Sequence, residues 1–86
     1  MVEIEYAPAF LRQFKKLPVA LQVESKEKIT LFKDAANHYS LKVHKLKGPL
    51  AGKWSFSVNY KDRIVFKWLS KNIAGFLAIG DHAIYD

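Results

Sequence analysis

The chain has no cysteine. That excludes disulfides and any zinc or iron–sulfur site built on thiolates. It also fits a reducing compartment, since small domains in oxidising ones commonly lean on disulfide staples. Long hydrophobic runs are missing as well. The longest uncharged apolar stretch, Ile73 to Gly80, is far shorter than the ~20 residues that cross a bilayer. The N-terminus, Met1 to Tyr6, has no basic segment followed by an apolar one, so no signal peptide is expected. A soluble, cytoplasmic protein is the expectation. Carboxylates are scarce in the second half, where only Asp62, Asp81 and Asp86 occur. No linker, repeat or low-complexity segment interrupts the chain, and 86 residues predict one domain, residues 1–86.

What is present is aromatic and basic. Half the residues are hydrophobic, with six Phe, four Tyr and two Trp, enough to fill a small core and too many for a disordered chain. The formal net charge is +6. It is unevenly placed: residues 1–40 carry six basic against five acidic side chains, residues 41–86 eight against three. Such a basic half attracts nucleic acid, an anionic surface or an acidic partner, or serves as a solvated face that maintains solubility.

Val2 to Tyr6 alternates apolar and polar and predicts a strand. Pro8 opens a short helix, because proline is tolerated in a first turn. Phe10, Leu11, Phe14 and Leu17 share one face, and Lys15 and Lys16 fall in the last turn, where cations suit the helix dipole. Pro18 separates this helix from a second one. Its stripe of Leu21, Ser25, Ile29, Phe32 and Ala36 predicts an end near Asn37 or His38, with His38 a cation at that terminus.

A short extended piece is expected near Lys42 to Leu46, then a loop containing Gly48, Pro49 and Gly52. Trp54 to Asn59 alternates with period two, and Arg63 to Leu69 follows through Tyr60-Lys61-Asp62. A three-residue loop there pairs Val58 with Ile64, Phe56 with Phe66 and Trp54 with Trp68 on a core face. It leaves Ser55, Ser57, Asn59, Arg63, Val65 and Lys67 on the other face. Ile73 to Ile79 reads as a central strand covered on both sides. The expected order is β-α-α-β-β-β: an α+β domain, its small, mostly antiparallel sheet covered on one face by an N-terminal helical hairpin.

This order brings His82, just past the last strand, near Arg63 at the start of the neighbouring strand, with His44, Lys45 and Lys47 on the preceding loop. RNA can be cut by attack of its own 2′-hydroxyl on the adjacent phosphate. The reaction needs a base, an acid and cations around a crowded phosphorane. Histidine titrates near neutrality and serves as either base or acid. Arginine offers a planar fork of donors matched to phosphate oxygens. A two-metal design needs several carboxylates at ligand spacing, and the second half lacks them, so metal-independent chemistry is favoured and no cofactor is expected. The lysines lie among loop and strand residues rather than on an amphipathic basic helix, which argues against membrane binding. Trp54, Phe56, Phe66 and Trp68 resemble a base-stacking platform but read as core.

Three segments carry a resemblance: His44 to Trp54 (HKLKGPLAGKW), Tyr60 to Phe66 (YKDRIVF) and Ile79 to Tyr85 (IGDHAIY). Together with the element order they resemble the RelE/ParE superfamily of bacterial type II toxins, and within it the RelE-like and YafQ-like branch. The resemblance covers essentially the whole chain. It implies an endoribonuclease that cuts messenger RNA in the ribosomal A site and is held inactive by a cognate antitoxin encoded in a short adjacent gene. Carried over by position, His82 is the principal general acid or base, with His44 and Asp62 at catalytic positions. Arg63 contacts the scissile phosphate, and Tyr85 supports the site or stacks on a base. Lys42, Lys45, Lys47, Lys53 and Lys67 are the expected RNA-binding cations. The chain departs from the pattern at Ser55, Ser57 and Asn59, where relatives carry basic residues or a second histidine. Tyr85 also follows His82 by three residues where four is common. A ParE-like poison of DNA gyrase, or a catalytically weak homologue that only binds an antitoxin, remain as alternatives.

Overall fold

The computed structural model describes residues 1–81. It holds five strands and two helices. In chain order they are β1 (Glu3–Tyr6), α1 (Pro8–Lys15), α2 (Val19–Phe32), β2 (His44–Lys45), β3 (Trp54–Ser57), β4 (Arg63–Ser70) and β5 (Ile73–Gly80). The sheet order is β1-β5-β4-β3-β2, with β1 parallel to β5 and every other pair antiparallel. This is the expected α+β architecture. The extended piece after α2 adds one element, a two-residue edge strand.

Proline sets both helix starts. Pro8 lies in the first turn of α1, and Pro18 caps α2 with φ −55°, the angle its ring imposes. The turn between the helices is fastened by Gln22. Its Nε2 lies 3.2, 3.3 and 3.1 Å from the carbonyls of Phe14, Lys15 and Leu17, where α1 ends and carbonyls run out of helical amide partners. A second amide joins helix to sheet: Gln13 Oε1 accepts from Ile79 N at 2.9 Å.

Both helices bury one face on the same side of the sheet. Phe10 and Phe32 meet Phe56, Phe66 and Phe76, all 0–1% exposed. Phe32 is the hub, stacked on Phe56 at 4.7 Å and edge-on to Phe66 and Phe76 at 5.0 and 5.4 Å. Such ring pairs contribute roughly 0.5–1.5 kcal/mol each beyond the area they bury. Trp54 and Trp68 pack around this centre half-buried, so the aromatic period-two face is core.

Four local expectations need correction. Leu11 is 45% exposed, because an eight-residue helix presents too narrow a stripe to bury it beside Phe10 and Phe14. α2 ends at Phe32 rather than near His38. Asp34 takes an extended conformation, and its carboxylate accepts from Ala36 N at 3.0 Å, so local capping competes with helix continuation. Ala36 is therefore exposed, on a short 3₁₀ turn. His38 does close the helix end, but as a packed ring: it stacks on Phe32 at 4.7 Å, and its Nε2 donates to Phe32 O at 2.7 Å. Finally, the β3–β4 register is displaced by two residues. Trp54 faces Phe66 and Phe56 faces Ile64. Asn59 causes the displacement: its Oδ1 accepts from the amides of Lys61 and Asp62 at 2.8 and 2.7 Å, making it a turn residue and closing the hairpin at Val58 and Asp62. A slip of two preserves the faces, whereas a slip of one would have exchanged them.

Candidate functional site

The sheet face away from the helices collects the polar residues. Cross-strand partners lie on the same face, so two rows can be read across it. One runs His44, Ser55, Val65, Ala78; the next runs Ser57, Arg63, Gly80. Although they face away from the helices, Ser55 and Val65 are buried at 0% and 4% exposure.

Arg63 opens β4 directly opposite Gly80, the last residue of β5. Its guanidinium folds back on the hairpin, where Nη1 donates to Asn59 O at 2.7 Å and to Asp62 O at 3.1 Å. Asn59 is itself tied to α2, since its Nδ2 donates to Glu24 Oε1 at 2.7 Å. Among the described residues the arginine is held at one nitrogen, and the remaining N–H groups of the fork have donor capacity for an anion.

His44 is exposed on β2, and its Nδ1 donates to Lys42 O at 2.7 Å. A carbonyl can only accept, so the neutral ring carries its proton on Nδ1 and its lone pair on Nε2. Lys42 has φ +59°, a left-handed conformation uncommon for a side chain of this size. His44 and Arg63 stand two strands and two residues apart, a Cα separation of about 12 Å from sheet spacing and rise. Two long side chains can approach neighbouring groups of one dinucleotide across that gap.

The remaining expected residues are distributed unequally. Asp62 contributes chiefly backbone: its amide donates to Asn59 Oδ1 and its carbonyl accepts from Val58 N and Arg63 Nη1. It lines a groove with Glu24 and Glu27 and is not among the residues lining the groove at Arg63. Lys42 lines that second groove. Lys67 is exposed on β4 opposite Gly75, on the polar face. Lys45 points the other way, its Nζ 5.6 Å above the Trp54 ring. Lys47 and Lys53 flank the Gly48–Leu50 turn. The lysines therefore do not form a single patch. His82 and Tyr85 lie outside the described residues.

One cation escaped the sequence reading. Lys28 of α2 lines the same groove as Arg63 and Lys42. It follows Glu24 by four residues, a spacing that suits an ion pair along a helix, but the Glu24 carboxylate accepts from Asn59. Nothing local marks Lys28, because only the tertiary packing of α2 beside the β3–β4 turn brings it there. Among the described residues, no three His, Asp or Glu side chains gather as metal ligands would, and no helix is long and apolar enough to cross a membrane.

No family model and no curated protein matches the sequence. Solved structures do match, over nearly all of the chain. The RelBE2 toxin–antitoxin complex from Mycobacterium tuberculosis aligns over 94% of this chain and 98% of the other, at 14% identity and a TM-score of 0.70. The YoeB–YefM complex from Staphylococcus aureus aligns over 95% and 98%, at 19% identity and 0.72. A mutant of YafQ from E. coli aligns over 99% and 98%, at 20% identity and 0.71. The chain has the fold of these RelE-, YoeB- and YafQ-type toxins over its described residues.

Proposed function

We propose that the chain is the toxin of a type II toxin–antitoxin pair, and that it is a metal-independent endoribonuclease that cuts ribosome-bound messenger RNA and so stops translation. The observation that carries this reading is the likeness of the fold, over nearly all of the chain, to toxins of toxin–antitoxin pairs. The placement of Arg63 supports it. A guanidinium anchored at one nitrogen, at the exit of β5, is a preorganised donor for a phosphate oxygen. In this scheme Arg63 stabilises the phosphorane, while His82 and His44 exchange the protons of the 2′-hydroxyl and the leaving 5′-oxygen. Asp62 supports the turn beneath Arg63. A short antitoxin, supplied in cells by a neighbouring gene, covers the site around Arg63 and silences it.

The test is controlled expression with transcript mapping. The intact chain is expected to arrest growth and to leave transcripts cut within coding sequence. Arg63→Ala and His82→Ala are each expected to relieve both effects. Undiminished arrest in both variants contradicts the reading. DNA damage without transcript cleavage would instead assign the chain to gyrase-poisoning ParE-like toxins.

A further inference from the structure

Tyrosine normally spends its ring on burial and keeps only the hydroxyl wet. Two tyrosines here do the opposite: Tyr39 and Tyr60 are each 95% exposed. Each lines one of two adjacent parts of a surface depression. The first part, about 510 Å³, is lined by Tyr39, Ser40, Lys42 and His44 among others. The second, about 430 Å³, shares Ser40 and Lys42 with it and adds Lys28, Arg63 and Tyr60. The described lining residues include three cations and no carboxylate. The carboxylates of this region, Glu24, Glu27 and Asp62, line a neighbouring groove that meets this one only at Asn59.

Resting on the function proposed above, we infer that this depression is a binding groove for single-stranded RNA, with Lys28, Lys42 and Arg63 on successive phosphates and bases stacked on Tyr39 and Tyr60. Aromatic faces flanking a cationic track are how proteins hold single strands without reading sequence, because every base has a face to stack. A duplex, whose bases already stack on one another, gains nothing from the two rings. Ser40 Oγ donates to Asn37 O at 2.9 Å, so toward the groove it is an acceptor, suited to a sugar hydroxyl. The groove extends the site beyond the sheet face, onto α2 and the loop that follows it.

The test uses the whole protein and a fluorescent eight-nucleotide RNA of mixed sequence, with the same RNA as a duplex and an acidic peptide of equal length as controls. Single-stranded RNA is expected to bind best. Tyr39→Ala and Tyr60→Ala are each expected to weaken it about tenfold, while Tyr39→Phe and Tyr60→Phe leave it unchanged, since the ring and not the hydroxyl makes the contact. Lys28→Ala should weaken single strand and duplex alike. Both rings are exposed, so these variants leave the core intact. Equal affinity of the alanine and parent proteins for single strands overturns the inference, as do preference for the duplex, preference for the acidic peptide, and absence of RNA binding. The function proposed above is judged separately. RNA bound through the tyrosines but never cut in cells leaves the groove standing and removes the nuclease. Transcript cleavage undiminished in the tyrosine variants does the reverse.

Discussion

Two single side chains bear on stability in opposite ways, one as a standing cost and one as a contribution lost at high pH. Ser25 is fully buried on the sheet-facing side of α2, and its Oγ has no hydrogen-bond partner among the described residues. A buried, unpaired hydroxyl costs about 1–3 kcal/mol, and alanine is also the better helix former. Ser25→Ala is therefore expected to stabilise the fold by about 1 kcal/mol, read as a higher denaturant midpoint at unchanged slope. Tyr6 is the other. Burial raises its pKa above 10.0 by disfavouring the phenolate. Its ring packs on Phe10 and Phe76 at 5.5 and 5.6 Å. Above the unfolded pKa the unfolded chain releases this proton before the folded one does. The contribution is complete below that pH and is lost as pH rises through the folded pKa. Tyr6→Phe keeps the ring contacts and removes the titration. Denaturant midpoints of the variant should fall less steeply than those of the parent between about pH 9 and 11.

At the scale of elements, the legible features were those set by periodicity, and the misread ones were those set by a side chain bonding its own neighbourhood. The inward aromatics of β3 and β4, the prolines at both helix starts and the apolar run of β5 could all be read because each follows spacing alone. The end of α2 and the β3–β4 register could not. Asp34 and Asn59 decide them through bonds to amides two or three residues on, and their competition with helix and ladder cannot be scored from pattern. The same limit applied to the site. Arg63 was legible as a strand-opening arginine, but its anchorage to Asn59, and through Asn59 to Glu24, joins residues from separate elements. This hairpin is correspondingly sensitive. Asn59→Ala removes two acceptor contacts to backbone amides and the bond to Glu24, and is expected to cost about 1–2 kcal/mol. Glu24→Gln keeps an acceptor for Asn59 Nδ2 and should cost much less. Amide exchange can localise the difference: Lys61 and Asp62 should exchange faster in Asn59→Ala and at nearly the parental rate in Glu24→Gln.

Over the whole molecule, composition and geometry make different predictions about how it meets a polyanion. A formal charge of +6 from fourteen cations would favour diffuse attraction, shared among lysines that the structure scatters over both sides of the sheet and the loop before β3. The depression between Tyr39 and Tyr60 concentrates only Lys28, Lys42 and Arg63. Single-strand binding loses about 0.7 power of salt for each phosphate neutralised. Three contacts therefore predict a slope near −2 in log affinity against log salt, or about a twentyfold loss from 50 to 200 mM. A diffuse lysine surface would give a much steeper line. Lys28→Ala should reduce the slope by about 0.7, whereas Lys45→Ala, whose ammonium lies over the Trp54 ring, should leave it unchanged. A titration series over that salt range, run with the parent and these two variants, distinguishes the cases. If both lysine variants lower the slope equally, the molecule holds its strand by overall charge, and the groove has no special claim on it.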